Sequence, residues 1–213
     1  MTKLIYRRLS LLLVEHNVLT RGNFAGLPGG SCDPPIFLMD NIISDARASD
    51  KPLFLLQQDI SKAFDSIDVN MLKLAMARLH LPPLFISLIA ELFTGRYNSI
   101  ITAYGSTSFY KTLVGIDQED VLSPLLWTIY IDPLLTVLNR ENPAPYLLDS
   151  NPLLPVVPIS TIGYMDDTNL IASSMEGLSF MMNTAQQFYD LNNTKINPQK
   201  AVFVTNRDPD APS

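Results

Sequence analysis

The sequence predicts an α+β fold in which an antiparallel sheet is backed by helices on one face. Short apolar runs with strand character alternate with stretches of helical period along the 213 residues. Two of these runs, within residues 159–173, flank an acidic turn and therefore form an antiparallel pair. Apolar residues make up 47% of the chain, which is enough to bury the core of one large domain.

The first quarter of the chain has a helical pattern. Apolar positions at helical spacing predict a helix over residues 3–15. A stretch rich in glycine and proline, residues 21–33, predicts a loop. Pro34 and Pro35 then stand at the start of a second helix, residues 34–48, where proline is tolerated.

The later segments alternate between strands and helices. They are a buried strand over residues 53–60, helices over 69–80 and 84–93, a hairpin over 97–114, a helix over 123–140, a proline-rich loop over 142–158, the strand pair over 159–173, a helix over 176–191 and a strand over 201–205. Ser123 is expected to cap its helix, with Pro124 in the first turn. Asp65 and Asp68 are expected to cap the turn or helix that follows them.

Composition limits the possible functions. Charged residues make up 17% of the chain, against about 25% in typical soluble domains, which indicates apolar surface covered by other parts of a larger polypeptide. The net charge of -6 repels a phosphate backbone, so basic surfaces for nucleic acid would lie elsewhere. One cysteine, Cys32, and two histidines exclude an internal disulfide framework and a zinc finger. We find no signal peptide and no apolar run of about 18 residues, so we expect an intracellular protein, nuclear or cytoplasmic, without membrane association.

Three segments carry candidate chemistry. They are residues 58–65 (QDISKAFD), 115–124 (GIDQEDVLSP) and 163–167 (GYMDD). Apolar residues flank Asp166 and Asp167, so a hairpin would hold both carboxylates at the tip of a buried ribbon. Aspartate is also a common turn residue, and that alternative explains the pair when it is taken alone.

Asp59 favours a carboxylate site over an ordinary turn, because it also ends an apolar strand. Neighbouring strands lie about 4.8 Å apart, so two strand ends can bring carboxylates within reach of one cation. Bare carboxylates at this range repel each other, and one would be driven neutral. Magnesium removes the problem, since it binds oxygen ligands and often takes only one or two protein carboxylates beside substrate phosphates. Two such ions about 4 Å apart would activate a 3′-hydroxyl and stabilise a leaving pyrophosphate.

The three segments occur in the order of reverse transcriptase motifs A, B and C, and the chain is similar to this family over residues 1–205. Residues 59–65 closely resemble motif A of non-LTR retrotransposon and group II intron enzymes. Residues 121–126 resemble the end of their motif B, and residues 195–200 look like motif D.

The resemblance implies a polymerase palm with partial fingers. Residues 1–52 would be partial fingers, 53–206 the palm and 207–213 a frayed tail. The implied activity is RNA-directed DNA polymerisation, in which two metal ions assist transfer of a nucleotide from a deoxynucleoside triphosphate (dNTP) to a primer 3′-hydroxyl. The implied cofactor is Mg²⁺, with Mn²⁺ possible. The implied partners are an RNA template, a DNA primer, and the fingers and thumb segments of a larger polyprotein.

The family's metal site carries over onto matching positions. Asp59 and Asp166 would be the metal ligands, and Asp167 would be the weaker third carboxylate. The backbone carbonyl of Ile60 would complete the site, as it commonly does in such enzymes.

The nucleotide contacts carry over in the same way. Phe64 would lie under the sugar and reject a 2′-hydroxyl, and a core aromatic is its alternative interpretation. Gln118 would contact the incoming nucleotide or the nearby template, and a solvated loop residue is the alternative. Lys200 would be the general acid for pyrophosphate, with Lys195 as the other candidate, although lysines on exposed loops are usually only solvated.

The sequence also departs from the family pattern. Residues 24–33 are similar to the glycine-rich loop before motif A, but Leu27 and Gly30 replace the usual arginines, and Glu119 replaces a usual glycine. Because the upstream fingers motif and the thumb are missing, we expect the isolated chain to be inactive. One alternative is an inert retroelement-derived remnant that acts at most as a binding module. Another is an unrelated acidic α+β interaction protein, which is hard to reconcile with three motifs in order.

Overall fold

A central antiparallel sheet organises the chain, which the computed structural model describes over residues 1–20, 22–118, 120–149 and 155–208. Within these residues the helices are α1 (Thr2–Glu15), α2 (Asp33–Ala48), α3 (Ala63–Ser66), α4 (Val69–Arg78), α5 (Pro83–Phe93), α6 (Ser123–Glu141) and α7 (Met175–Leu191). The strands are β1 (Phe54–Ser61), β2 (Tyr97–Asn98), β3 (Ile101–Thr102), β4 (Gly105–Ser106), β5 (Tyr110–Lys111), β6 (Tyr146–Leu148), β7 (Val157–Ile159), β8 (Thr161–Tyr164), β9 (Asp167–Ala172), β10 (Lys195–Ile196) and β11 (Val202–Thr205). This mixture confirms the α+β class.

Strand β1 lies in the middle of the main sheet. β9 pairs with one of its edges and is followed by β8, while β10 and β11 share the other edge, and every pair is antiparallel. Successive side chains of a strand point to opposite faces. Phe54 and Leu56 therefore enter the helical core, whereas Leu55 enters a second core on the other face. Burial on both faces explains the continuous apolar run in the sequence of β1.

Helix α6 forms the middle of the helical layer. Leu125, Leu126 and Ile129 have no exposed surface there, and burying each stabilises the fold by about 1.5–3 kcal/mol. Asp132 is buried on the same helix. It pairs with Arg78 and accepts a hydrogen bond from a backbone N–H of the segment after α1, as a buried charge requires.

The opposite face of the sheet is partly covered, which corrects the expectation that helices back one face only. Ile42 and Ala46 of α2 pack there, together with the hairpin of β6 and β7. That hairpin also corrects the expectation of a loop over residues 142–158. The Tyr146 hydroxyl donates a hydrogen bond to the Asp45 carboxylate at 2.6 Å and so ties the hairpin to α2.

The helix starts follow the prediction only in part. Asp68 caps α4, because its carboxylate accepts hydrogen bonds from two N–H groups of the first turn at 2.7 and 3.2 Å. Asp65 lies inside α3 and is not its cap. Ser123 is not the cap of α6, since its buried hydroxyl has no hydrogen-bond partner among the described residues. Instead the Asp120 carboxylate accepts a hydrogen bond from the Leu122 N–H at 2.7 Å.

The remaining segments are a hairpin outside the main sheet and the residues after β11. The hairpin predicted over residues 97–114 is present as two nested pairs, β2 with β5 and β3 with β4. Arg207 donates a backbone hydrogen bond to the Thr205 hydroxyl at 3.1 Å, while residues 209–213 of the predicted tail lie outside the described residues. Across the described ranges, no helix combines the length and apolar character needed to cross a membrane.

We expect Asp68→Ala to lower the free energy of unfolding by about 1 kcal/mol, because two N–H groups of α4 lose their acceptor. Urea unfolding followed by circular dichroism measures the change. Asp65→Ala removes the same side chain without removing a cap, and its expected loss is below about 0.5 kcal/mol. Equal losses in the two variants would contradict the capping role.

Candidate active site

Asp59 and Asp167 face each other at the end of the β1–β9 ladder. The Asp59 carbonyl accepts a hydrogen bond from the Asn197 N–H at 2.8 Å, so the Asp59 backbone bonds toward β10. Asp59 therefore forms a non-hydrogen-bonded pair with Asp167 on the other side. In a pair of this kind the two Cα atoms lie about 4.5 Å apart. Side chains of a cross-strand pair share one face of the sheet. The two carboxylates therefore meet on the same face.

Asp166 lies in the two-residue turn between β8 and β9, directly before Asp167. The turn closes on the pair of Tyr164 with Asp167, and Met165 has a φ of 55°. This left-handed conformation costs a non-glycine residue about 1–2 kcal/mol, so neighbouring contacts must hold it. The indole N–H of buried Trp127 donates a hydrogen bond to the Met165 carbonyl at 2.8 Å and supplies such a contact.

Three carboxylates and one ammonium group interact at this edge of the sheet. Burial raises the pKa of Asp167, the negative charges of Asp166 and Asp59 raise it further, and Lys200 opposes the shift. The Lys200 amino nitrogen lies 3.1 Å from each carboxylate oxygen of Asp59. The structure thus brings together the four residues that the sequence proposed as catalytic, while their chemical roles stay predictions.

The carboxylates form a partial site for a divalent ion. The carboxylates repel one another, and a bound cation would reduce this repulsion. Their oxygen atoms are ligands that a hard divalent cation prefers. Among the residues that the structure describes, no three His, Cys, Asp or Glu side chains are arranged to enclose a metal. The arrangement fits magnesium, which commonly takes one or two protein carboxylates. Because Asp59 bonds toward β10, the Ile60 carbonyl faces the side of β9, where the Asp166 turn lies.

Phe64 lies in the short helix that follows β1. Its ring is half-buried, and its centroid lies 6.0 Å from that of Trp127 with 51° between the planes. The ring packs against the helical core. A partly exposed ring at the edge of the core is compatible with a sugar contact, and the sugar gate stays a prediction.

The turn after the β2–β5 hairpin docks on α3. The N–H groups of Gly115 and Ile116 donate hydrogen bonds to the carbonyls of Ile67 and Phe64, each at 2.9 Å. Gly115 has a φ of 87°, and a Cβ there would lie 2.9 Å from the Asp65 backbone. Glycine is therefore required at this point. These contacts join motif B to motif A.

Gln118 follows this turn and is exposed. Its side-chain amide donates a long hydrogen bond to the Asp65 carboxylate at 3.5 Å. Gln118 is thus joined to the motif A helix, and its contact with a nucleotide stays a prediction. Glu119, the departure from the family pattern, lies outside the described residues.

Two clefts lie beside these motifs. One, of about 490 Å³, is bounded by α2 and by β8 and β9, with Asp167 in its lining. Cys32 and Tyr164 both line this cleft, and the interaction with Cys32 raises the pKa of Tyr164. The other, of about 1220 Å³, separates the β2–β5 hairpin from the motif B turn. There Arg96 donates a hydrogen bond to the Gly115 carbonyl at 2.6 Å.

Trp127 is the site residue that the sequence analysis missed. It is the single tryptophan of the chain and is 1% exposed. Its ring contacts Phe64 of motif A, while its N–H holds the motif C turn. The sequence did contain a signal for this contact, since Trp127 lies within a very apolar predicted helix. A tryptophan buried there usually needs a hydrogen-bond partner for its indole N–H.

Comparison with known proteins identifies the class to which this fold and site belong. Residues 2–210 match the family described as reverse transcriptase (RNA-dependent DNA polymerase). The chain therefore belongs to the reverse transcriptase family, and the motif assignment made from the sequence is consistent with that membership.

The similar curated proteins are longer than this chain. It is 24% identical over 170 residues to the Retrovirus-related Pol polyprotein from type-1 retrotransposable element R2 of Popillia japonica, covering 80% of this chain and 27% of that protein. It is 23% identical over 178 residues to the type-2 element R2DM polyprotein of Drosophila melanogaster, covering 84% and 16%. The resemblance to a non-LTR retrotransposon enzyme is confirmed, and the chain spans about a quarter or less of these relatives.

A solved telomerase shares the fold. The structure of telomerase from Candida albicans, in complex with a TWJ fragment of telomeric RNA, matches with a TM-score of 0.63 at 15% identity. The match covers 96% of this chain and 34% of the telomerase chain. At this identity the likeness shows the fold, and it confirms the polymerase palm architecture.

We expect Asp167→Asn to raise the melting temperature of the metal-free chain at neutral pH by on the order of 1 °C, a small shift because the site is partly screened by solvent. The pKa of Asp167 is raised above its ordinary value of 3.8, so the native state binds this proton more tightly than the unfolded state. The free energy of unfolding therefore decreases as the pH rises from 3.8 through the raised pKa of Asp167, because the native state must then hold an ionised carboxylate.

Differential scanning fluorimetry from about pH 3 to 8 measures this effect. The gain from asparagine should be full at neutral pH and vanish below the ordinary aspartate pKa. Glu91→Gln removes one charge from an exposed position of α5 and controls for net charge. A melting temperature that does not rise at neutral pH would show that Asp167 is not under electrostatic strain.

Proposed function

We propose that the chain is the catalytic core of an RNA-directed DNA polymerase that adds a nucleotide from a dNTP to a primer 3′-hydroxyl. The observation that carries this proposal is the placement of Asp59 opposite Asp167, beside Asp166, in a chain of the reverse transcriptase family. In the reaction the 3′-oxygen bonds to the α-phosphorus, and the bond from that phosphorus to the pyrophosphate oxygen breaks.

The carboxylates would hold the divalent ions, Mg²⁺ or Mn²⁺. Asp59 and Asp166 would be the ligands, the Ile60 carbonyl would complete the set, and Asp167 would contribute more weakly. When bound, the ions supply positive charge to the attacking and leaving oxygens. Lys200 would give its proton to the leaving pyrophosphate, and its contact with Asp59 supports a place within this charged cluster.

Motifs A and B would position the nucleotide. Phe64 would lie beneath the sugar, and Gln118 would contact the base or the template next to it. Support comes from the hydrogen bonds that dock the Gly115 turn on α3, because they hold the segments carrying these two side chains together.

The template, the primer and the rest of the polyprotein complete the proposed assembly. We infer that residues 1–52 are partial fingers and 53–206 the palm, and that further fingers and thumb segments supply basic surface for an RNA template and a DNA primer. Two facts support this inference. The net charge of -6 is unsuited to binding nucleic acid alone, and the similar polyproteins are several times longer.

A second candidate is an inert, retroelement-derived binding module. The observation that favours it is Glu119, where the family resemblance leads us to expect glycine. A glutamate adds bulk and negative charge next to Gln118, where the proposed nucleotide site begins.

Primer extension separates these two candidates. We expect no extension by the isolated chain, and Mg²⁺-dependent extension when it replaces the matched region within the Popillia japonica polyprotein (the joined protein). In the joined protein Asp166→Asn should slow extension by on the order of a hundredfold or more, because charge stabilisation worth several kcal/mol is lost. Asp190→Asn, on the exposed surface of α7, is the matched control and should retain activity.

Three results would count against the proposal in different ways. Processive synthesis by the isolated chain would refute its dependence on other segments. Equal rates in Asp166→Asn and the control would refute the carboxylate site. No extension by the joined protein, rescued by Glu119→Gly, would show a decayed polymerase and favour the inert module.

The sugar gate gives a further prediction in the active joined protein. Phe64→Val should raise the ratio of ribonucleotide to deoxynucleotide incorporation by about tenfold, because it opens space beside the sugar. Phe64→Tyr keeps the ring and should leave the ratio low. If Phe64→Val lowers stability while the ratio stays flat, Phe64 is only a core residue packed on Trp127.

A further inference from the structure

The turn that carries Lys200 is anchored through its backbone beside Asp59. Asn197 donates its N–H to the Asp59 carbonyl at 2.8 Å, and Lys200 donates its N–H to the Asn197 carbonyl at 3.1 Å. The Lys200 side chain is 63% exposed, whereas the Asp59 carboxylate is 17% exposed. The backbone of the turn is therefore held in place, while the long side chain is free to swing into solvent.

The Lys200 ammonium group occupies the position of a cation on Asp59. It lies 3.1 Å from both carboxylate oxygens, so neither oxygen is free of it. Its charge also opposes the repulsion that Asp59 and Asp166 exert on Asp167. Lys200 therefore offsets part of the negative charge of the three carboxylates.

An ammonium group and a divalent ion compete for the oxygens of one carboxylate. The ammonium group has three donors and no acceptor, so it cannot act as a ligand and only repels a second cation. A divalent ion that binds Asp59 therefore weakens the contact between Asp59 and Lys200 and favours its release. Once displaced, the amine is free to face the phosphates of a substrate.

We propose that Lys200 is a counter-ion built into the metal-free site, and that a divalent ion releases it by binding Asp59. This inference rests on the proposed function, because it takes Asp59 to be a metal ligand. It goes further than the proposed function because it couples metal binding at Asp59 to release of the Lys200 amine. The amine becomes available for pyrophosphate only in a site that already holds metal.

Lys195 provides a matched control within the same segment. It lies on β10 opposite Ser61 and is exposed, and its replacement changes the net charge by the same amount. A general electrostatic effect of losing one positive charge would appear in both lysine variants. Direct competition with the metal would appear only at Lys200.

The first measurement is the dissociation constant for Mn²⁺, followed by electron paramagnetic resonance of the free ion. Lys200→Met should bind Mn²⁺ about fivefold more tightly than the unaltered chain, because a competing cation is gone. Lys195→Met should change the constant much less, and Asp59→Asn should remove the binding. Circular dichroism of each variant checks that it is folded.

The second measurement follows the amine itself. Coupling between two binding events is reciprocal, so Mn²⁺ should make the Lys200 amine more accessible. Its rate of acetylation by acetic anhydride, read by mass spectrometry of the peptides, should rise when Mn²⁺ is added. The Lys195 rate should stay constant in the same sample.

The outcomes distinguish this inference from the proposed function. If Mn²⁺ binds through Asp59 but neither its affinity nor the acetylation rate depends on Lys200, the counter-ion role is overturned while the metal site stands. If no variant binds Mn²⁺, the inference and the metal site of the proposed function are both overturned.

Discussion

The antiparallel register between β1 and β9 is the constraint on which the candidate site depends. β1 buries Leu55 on one face and Leu56 on the other, so a slip of one residue would exchange its contacts with both cores. Packing on two faces therefore specifies the register far more strongly than the backbone hydrogen bonds do. With that register set, Asp59 must lie opposite Asp167, and the turn that follows β8 must place Asp166 beside them.

Helix α6 connects this edge of the sheet to the other motifs. Trp127 contacts the motif A ring and holds the motif C turn, so a single buried side chain spans two parts of the site. The glycine-rich loop before motif A lies against the start of the same helix. Gly26 has a φ of 78°, and a Cβ there would lie 2.7 Å from the Pro124 carbonyl. The loop can approach motif B this closely only because it has no side chain at that position.

Features that repeat locally were predictable from the sequence, and features that depend on distant partners were not. Periodicity located the long helices, β1 and the acidic hairpin, and the spacing of aspartates at strand ends located the carboxylate cluster. The β6–β7 hairpin was missed because its prolines indicate a loop, although Pro158 is tolerated in this two-stranded pair. The two-residue β10 is too short to show a period. The contacts of Trp127 with Met165 and of Lys200 with Asp59 join residues far apart in sequence, so no local pattern reports them.

The most direct test of this account measures whether positions 59 and 167 are adjacent. In a Cys32→Ser background, Asp59→Cys combined with Asp167→Cys should form a disulfide readily under mild oxidation, because a non-hydrogen-bonded pair brings the Cα atoms to about 4.5 Å, within the range that a disulfide spans. Asp59→Cys combined with Asn169→Cys, two residues further along the same face of β9, should form it much more slowly. Mass spectrometry of the peptides quantifies both products. Rapid crosslinking of the first pair alone is the result that the register predicts. Crosslinking that is equal in the two pairs, or faster in the second, would contradict the register and with it the carboxylate site.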